Sequence, residues 1–208
     1  MLRIGVLVSG GGTNLQALLD AQDAGKIRNG EIACVISSTP DAYALERAKR
    51  HGVGTRVVCW KEFAPDRKAF SAEILRVLQE ERIDLVVYAG FMVILDELVS
   101  RAYPNRMMNV HPALIPSFCG KGFYGLHVHE AVLKSGVKLT GATVHFVNEV
   151  CDGGPIILQK AVPVMDDDTP ETLQRRVMEQ AVWELLPEAV SLFCSGKLEV
   201  TGNKVYIK

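Results

Sequence analysis

Apolar residues in this chain fall either into short unbroken runs or into segments where they recur every three to four positions. Leu2–Val8 is apolar except for Arg3 and Gly5, and its continuity predicts a strand buried on both faces, as in a parallel sheet. Ser9–Asn14 (SGGGTN) reads as a glycine-rich turn, and Leu15, Leu18 and Leu19 predict a helix from about Asn14. Ile32–Ile36 is a second strand, Ala42–Arg50 a second helix stopped by Gly52, and Thr55–Cys59 a third, weaker strand. Phe70, Ile74, Leu75 and Leu78 make Lys68–Glu81 an amphipathic helix. Asp84–Ala89 is a fourth strand, Gly90–Leu95 the loop at its carboxyl end, and Asp96–Arg101 a short helix. Arg106–Val110 is a fifth strand that runs into His111-Pro112.

Strand alternating with helix implies right-handed crossovers and a mostly parallel sheet. Ligands of such sheets bind beyond the carboxyl ends of the strands, which here means Ser9–Asn14, Gly90–Leu95 and His111–Gly125. The second half changes character. Ala142–Asn148 alternates like a strand, Pro155–Val164 is another, and the short Glu149–Gly154 link lets the two pair antiparallel. One long helix is predicted from Asp168–Pro170 to about Cys194, capped by Thr169 or Asp168, followed by a terminal hairpin over Leu198–Ile207. Pro116–Gly125 carries three glycines and is a loop.

The 208 residues suit one domain with a sizeable core, at roughly 150 residues per domain. Lys and Arg number 23 against 24 Asp and Glu, which argues against nucleic-acid binding by bulk charge. The five cysteines form no C-x-x-C pair and read as a reduced inventory, so a cytoplasmic location is expected. The apolar start of the chain is too short for a signal segment, and no run approaches the roughly 18 residues of a membrane helix.

A strand that enters glycines at the start of a helix aims free N–H groups at one point, where the helix dipole adds positive character. SGGGTN therefore reads either as a seat for a phosphate or as a tight turn that binds nothing. It lacks both G-x-G-x-x-G and G-K-[ST], so a phosphomonoester fits it better than a dinucleotide or ATP. Asn109 and His111 stand two apart at a strand's carboxyl end and point the same way. Asn can donate to an oxyanion and His can move a proton, although a structural histidine at a strand end has the same signature. Asp152, in the Glu149–Gly154 loop, is the carboxylate expected to orient His111 and raise its pKa, with Glu149 as a second acid; Cys-Asp-Gly-Gly alone reads equally as a hairpin turn. His127, His129 and His145 raise a metal question without H-E-x-x-H spacing, and no metal is expected. Cys119 and Cys151 flank the same region without an evident adjacent base.

These pieces resemble the phosphoribosylglycinamide formyltransferases, folate-dependent enzymes of purine biosynthesis. The matching segments are SGGGTNLQALLD at 9–20, AGFMVIL at 89–95, NVHPALIPSF at 109–118, GLHVHEAVLKSG at 125–136 and GATVHFVNEVCDGGPIILQKAVPV at 141–164. The resemblance implies an α/β fold: a Rossmann-like, mostly parallel twisted sheet with helices on both faces and an antiparallel C-terminal part. It implies one formyltransferase domain over 1–208, with a phosphate-binding half to about residue 110 and a half bearing folate and catalytic loops after it. Gly11, Gly12, Thr13 and Asn14 would hold the phosphate end of glycinamide ribonucleotide. Met92, Val93, Ile94, Leu95, Asn109, Asn148, Glu149, Val150 and Cys151 would border the folate, and Arg67 would meet its acidic tail. Asn109, His111 and Asp152 would be catalytic.

The implied reaction is attack of the glycinamide amine on the formyl carbon of 10-formyltetrahydrofolate, a co-substrate, with no tightly bound cofactor. Partners would be these small molecules, with no nucleic acid and no membrane, and the protein a monomer or homodimer. Three departures stand out. The segment SFCGKGFY after Pro116 is longer than in many relatives, Val93 replaces a frequent Arg, and Val182 stands where the family usually has Glu, with Glu179 one turn away as a substitute. The alternatives are a formyltetrahydrofolate deformylase, which usually has an extra N-terminal domain, and formylation of initiator tRNA or a sugar nucleotide. A Rossmann-like nucleotide-binding module is the non-enzyme alternative.

Overall fold

The computed structural model describes residues 1–208. In chain order its elements are β1 (Leu2–Val8), α1 (Thr13–Asp23), β2 (Gly30–Ser37), α2 (Tyr43–Arg50), β3 (Gly54–Val57), α3 (Trp60–Phe63), α4 (Arg67–Glu80), β4 (Leu85–Tyr88) and α5 (Glu97–Ala102). There follow β5 (Met107–His111), α6 (Leu126–Ser135), β6 (Leu139–Phe146), β7 (Ile156–Pro163), α7 (Pro170–Val177), α8 (Trp183–Cys194), β8 (Leu198–Thr201) and β9 (Lys204–Ile207). One nine-stranded sheet runs in the order β3-β2-β1-β4-β5-β6-β7-β9-β8. β1 to β5 are parallel, and β6 lies antiparallel to both β5 and β7. The expected α/β architecture with an antiparallel C-terminal part is present.

The unbroken apolar runs have a direct cause. Along β1, Ile4, Val6 and Val8 enter a core shared with α1, α2, α7 and α8, while Leu7 enters a second core with α4 and α5. Both faces of the sheet are covered, so Ile4, Val6, Leu7 and Val8 are all apolar. Strand order reverses beside β1, and the loops after β1 and β4 meet there. Ser9 N–H donates to the Gly90 carbonyl at 3.1 Å, and Met92 N–H donates to Ser9 Oγ at 2.9 Å.

Three segments differ from the sequence reading, the first being the one-turn helix α3, which no apolar pattern marks. Residues 126–135 form α6, which the apolar pattern does not mark because His127 and His129 interrupt it; its buried face is Val128, His129 and Val132. The predicted long C-terminal helix starts at Pro170 as expected. Thr169 caps it, with Thr169 and Thr172 exchanging side-chain and backbone bonds. It is not continuous, because a π-helical turn over Met178–Val182 separates α7 from α8. The wider turn sets Gln174, Met178 and Val182 along one wall of the cleft described next. No helix is long and apolar enough to cross a membrane.

Candidate active site

A cleft of about 1240 Å³ opens beyond the carboxyl ends of β1, β4 and β5. It reaches from the Gly10–Asn14 turn past Asn109 and His111 to the loops over 90–97 and 147–152. Arg67, at the first position of α4 behind the capping Asp66 carboxylate, lies on its rim. The residues expected for catalysis, the phosphate and the folate therefore all line one space, whereas Cys119, His127 and Glu179 do not. A smaller groove of about 710 Å³ between α1 and α8 shares only Thr13 with the cleft.

The turn after β1 is built for close approach. Gly12 has φ +74° and caps α1, and a Cβ there would stand 2.6 Å from Ala44 Cβ, so α2 packing and backbone conformation both require glycine. Arg47 braces the turn through Nε to the Gly11 carbonyl at 2.8 Å and Nη1 to Gln16 Oε1 at 2.9 Å. Asn14 Oδ1 is buried and has no protein partner. The first-turn N–H groups of α1 face the cleft mouth, which is the geometry an anion needs.

The antiparallel register of β5 on β6 assembles the cleft floor. Asn109 is directly opposite His145, and His111 is opposite Thr143, so alternation along the strands puts these side chains on one face. The 147–155 loop then brings Asp152 over them. Its Oδ2 lies 3.6 Å from His111 Nδ1, and its Oδ1 lies 3.5 Å from Asn109 Nδ2 and 3.6 Å from His145 Nε2. Gly120 N–H donates to Asp152 Oδ2 at 2.9 Å. Asp152 itself has φ +54°, a conformation Asp tolerates better than most residues. His111 is 4% exposed, and its Nε2–H donates to the Phe118 carbonyl at 2.8 Å.

The charge states correct one expectation. The sequence reading has Asp152 raising the pKa of His111. Burial dominates instead: desolvation pulls His111 below its ordinary value against the opposing pull of Asp152 and the Phe118 carbonyl. The ring is neutral at pH 7, with Nε2–H held by Phe118 and Nδ1 bare toward Asp152. Burial pushes Asp152 up, but the His145 imidazole 3.6 Å away, the Gly120 N–H and the positive charge the two imidazoles carry when protonated hold its carboxyl below the usual range. Cys119 and Cys151 are both raised by burial and by the nearby Asp152 charge, so neither is a poised nucleophile.

Glu149 faces Arg101 at 3.3 Å at the rim, away from His111. Asn148 shapes the same loop, its Oδ1 accepting from Val150 N–H at 2.9 Å. Met92, Ile94 and Val150 are 58%, 56% and 64% exposed, unusual for such side chains, and they line the same end of the cleft. Val93 and Leu95 also line it, but they pack down on the core under α4 as well. Val182 is buried in the cleft wall, whereas Glu179 is exposed and outside it, so Glu179 does not take the place of the missing carboxylate. No group of three His, Cys, Asp or Glu side chains is arranged to hold a metal ion.

Two cleft residues escaped the sequence reading. His145, considered only as a metal ligand, touches both Asn109 and Asp152; aligning NVH with VHF as an antiparallel pair would have found it. His129 is fully buried at the cleft floor with neither ring nitrogen paired, and burial pushes its pKa down to about 4. No sequence signal marks it beyond its place on a helix.

The sequence matches the formyl transferase family over residues 2–190. It is 38% identical over 207 residues to the phosphoribosylglycinamide formyltransferase of Haemophilus influenzae, covering 100% of this chain and 94% of that protein. This chain belongs to the phosphoribosylglycinamide formyltransferase family. The crystal structure of glycinamide ribonucleotide transformylase 1 from Symbiobacterium toebii superposes with a TM-score of 0.93 at 46% identity, over 100% of this chain and 94% of that one. A trifunctional purine biosynthetic protein of Drosophila melanogaster is 39% identical over 195 residues, and there the match spans 14% of that protein. In phosphoribosylglycinamide formyltransferases of bacterial size the likeness thus runs end to end, and in the trifunctional protein it is one segment.

Proposed function

We propose that this chain transfers the formyl group of 10-formyltetrahydrofolate to the amine of N1-(5-phosphoribosyl)glycinamide, a step of purine biosynthesis. The observation that carries this reading is the convergence of Asn109, His111 and Asp152 midway along a cleft with an anion-accepting turn at one end and exposed apolar loops at the other. We assign the whole chain to one formyltransferase domain, because a single sheet joins the phosphate turn after β1 to the catalytic floor on β5 and β6.

In this reading Gly11–Asn14 take the ribonucleotide phosphate on free N–H groups. Met92–Leu95 and Asn148–Cys151 flank the pteridine, and Arg67 meets the folate's acidic tail. The amine attacks the formyl carbon, and the carbonyl oxygen becomes an oxyanion. Asn109 Nδ2 has two hydrogens: one is turned toward Asp152 and His145, and the other is free for that oxygen. His111 begins neutral and serves the oxyanion as a hydrogen-bond donor through Nε2–H, taking up no proton of its own. Its Nε2–H must leave the Phe118 carbonyl to reach the oxyanion. The proton lost by the amine passes to Asp152, through water, and returns to N10 as the carbon–nitrogen bond to folate breaks.

The test is a formyl-transfer assay with 10-formyltetrahydrofolate, with and without the ribonucleotide, following folate product and free formate together. Folate release that requires the ribonucleotide and yields no formate is the expected result. Formate release that ignores the ribonucleotide would overturn the transferase reading in favour of hydrolysis.

A further inference from the structure

Every carbonyl from Ser9 to Gly12, in the turn after β1, is held by a donor that does not line the cleft. Ser9 C=O accepts from Thr39 Oγ1 at 3.0 Å, Gly10 C=O from Ala44 N–H at 3.1 Å, and Gly12 C=O from Gln16 N–H at 2.9 Å. Gly11 C=O accepts from Arg47 Nε at 2.8 Å. In a trans peptide the carbonyl and the next residue's N–H point opposite ways. Carbonyls tied back in this manner leave the N–H groups of Gly10–Thr13 on the cleft side. Arg47 is the one charged group among the four donors.

Arg47 is itself held in place. Its Nη1 donates to Gln16 Oε1 at 2.9 Å, and the guanidinium carbon lies 5.0 Å from the centre of the Tyr43 ring. Gln16 is fixed from its other end: Nε2 donates to Asp20 Oδ1 at 2.7 Å and lies 3.1 Å from His51 Nε2. His51 Nδ1 faces Asp23 Oδ2 at 2.8 Å. An ionised carboxylate only accepts, so Nδ1 carries the hydrogen and Nε2 accepts from Gln16. Two acceptors thus meet the Gln16 NH₂ group, and its oxygen is left for Arg47. The guanidinium faces the smaller groove between α1 and α8, behind the turn and outside the cleft.

We propose that Arg47 is a positioning residue for the phosphorylated substrate: by holding the Gly11 carbonyl it aims the Gly12 N–H into the phosphate seat, and the Asp23–His51–Gln16 chain holds Arg47 to that task. The proposal deepens the formyl-transfer reading of the site and rests on it. The Gly11–Gly12 peptide needs a tie because little else restrains it. Glycine stands on both sides of it, and a Cβ at Gly10 or Gly11 would meet nothing within 4 Å, so packing does not fix the stretch. Released, this peptide can turn its carbonyl oxygen toward the cleft, where it repels an anion.

The test compares Arg47→Ala with Arg47→Lys, which keeps the charge and a donor, in the formyl-transfer assay. For Arg47→Ala, KM for the ribonucleotide should rise about tenfold, with kcat and KM for 10-formyltetrahydrofolate within about threefold of wild type. Arg47→Lys should recover part of that KM. Gln16→Leu should raise the same KM by less, and added to Arg47→Ala it should change KM by less than about twofold, because Gln16 acts through Arg47. An unchanged ribonucleotide KM in Arg47→Ala would overturn the proposal. So would a Lys variant no better than Ala, or an equal rise in KM for both substrates, which is the behaviour of loosened packing between α1 and α2. Inorganic phosphate gives a readout without turnover. In amide NMR the wild-type Gly12 N–H should shift as phosphate is added, and Arg47→Ala should need about tenfold more phosphate for the same shift. A variant that responds like wild type overturns this proposal alone. A wild-type Gly12 that ignores phosphate overturns the phosphate seat as well, and with it a phosphorylated amine as substrate.

Discussion

Gly153 and Gly154 follow Asp152, and the structure makes opposite demands on them. A Cβ at Gly154 would lie 1.8 Å from the Phe146 carbonyl oxygen and 2.8 Å from its carbon. Those atoms belong to the end of β6 and are fixed by its pairing, since Phe146 N–H also donates to the Pro155 carbonyl at 2.9 Å. Real Cβ contacts stay above 3.0 Å, so Gly154→Ala must move the loop by more than 1 Å. The displaced loop carries Asp152 away from His111 and Asn109. A displacement of about 1 Å at a reacting group costs on the order of 10²-fold in rate. At Gly153 the added Cβ would meet Val150 Cγ1 at 2.6 Å, which can turn aside on this exposed residue, and Val150 Cβ at 2.8 Å, which falls only slightly short of the 3.0 Å limit. We therefore expect Gly154→Ala to lower kcat by about 100-fold and Gly153→Ala to lower it by less than about fivefold. Initial rates of folate release would be measured beside circular dichroism, which should show both variants folded. Equal rates for the two variants, or a Gly154→Ala enzyme as fast as wild type, would refute the placement of Asp152 by this loop.

Asp152→Asn and His111→Ala should each lose about 10²- to 10⁴-fold in kcat/KM while melting as cooperative folded proteins; near wild-type turnover in either would remove its assigned role. His129 titrates near pH 4 in the folded chain against 6.5 in an unfolded one, and His111 is depressed in the same direction. Their stabilisation is present above pH 6.5 and is lost as pH falls through that window, because the unfolded chain binds the protons first. Each such site contributes at most about 1.4 kcal/mol per pH unit. Urea midpoints between pH 7 and 4.5 should therefore fall, and less steeply in His129→Leu; an unchanged slope in that variant would reassign the effect. Thr169→Ala breaks the reciprocal cap of α7 and should cost about 1 kcal/mol in urea unfolding, with no effect on KM expected in kinetic assays.

The parallel half of the fold was legible because strands covered on both faces leave no alternative to continuous apolar runs, as Leu2–Val8 and Leu85–Tyr88 do. Asn109, His111 and the SGGGTN turn were legible because strand ends announce themselves in local sequence. What was not legible depends on register and burial. α6 hides behind two histidines, one of them inward-facing. The π turn at Met178–Val182 has no periodicity signature. His145 becomes visible only once β6 is set against β5, and for His111 the sequence shows the carboxylate that pulls its pKa up but not the burial that outweighs it.

Ser9 sits where the two substrate-facing loops meet. It donates its N–H to Gly90, accepts the N–H of Met92, and pairs its hydroxyl with Ser38 at 2.7 Å. The phosphate turn and the apolar 90–95 loop are consequently one rigid jaw whose gap is set by the spacing of neighbouring strands. In the proposed reading, the distance between a seated phosphate and a seated pteridine is thus a property of the sheet, like the opening of a caliper locked by its screw. The facing Pro116–Gly125 segment is tied to the cleft floor by the Phe118 carbonyl and the Gly120 N–H, with the Phe118 side chain packed on the core.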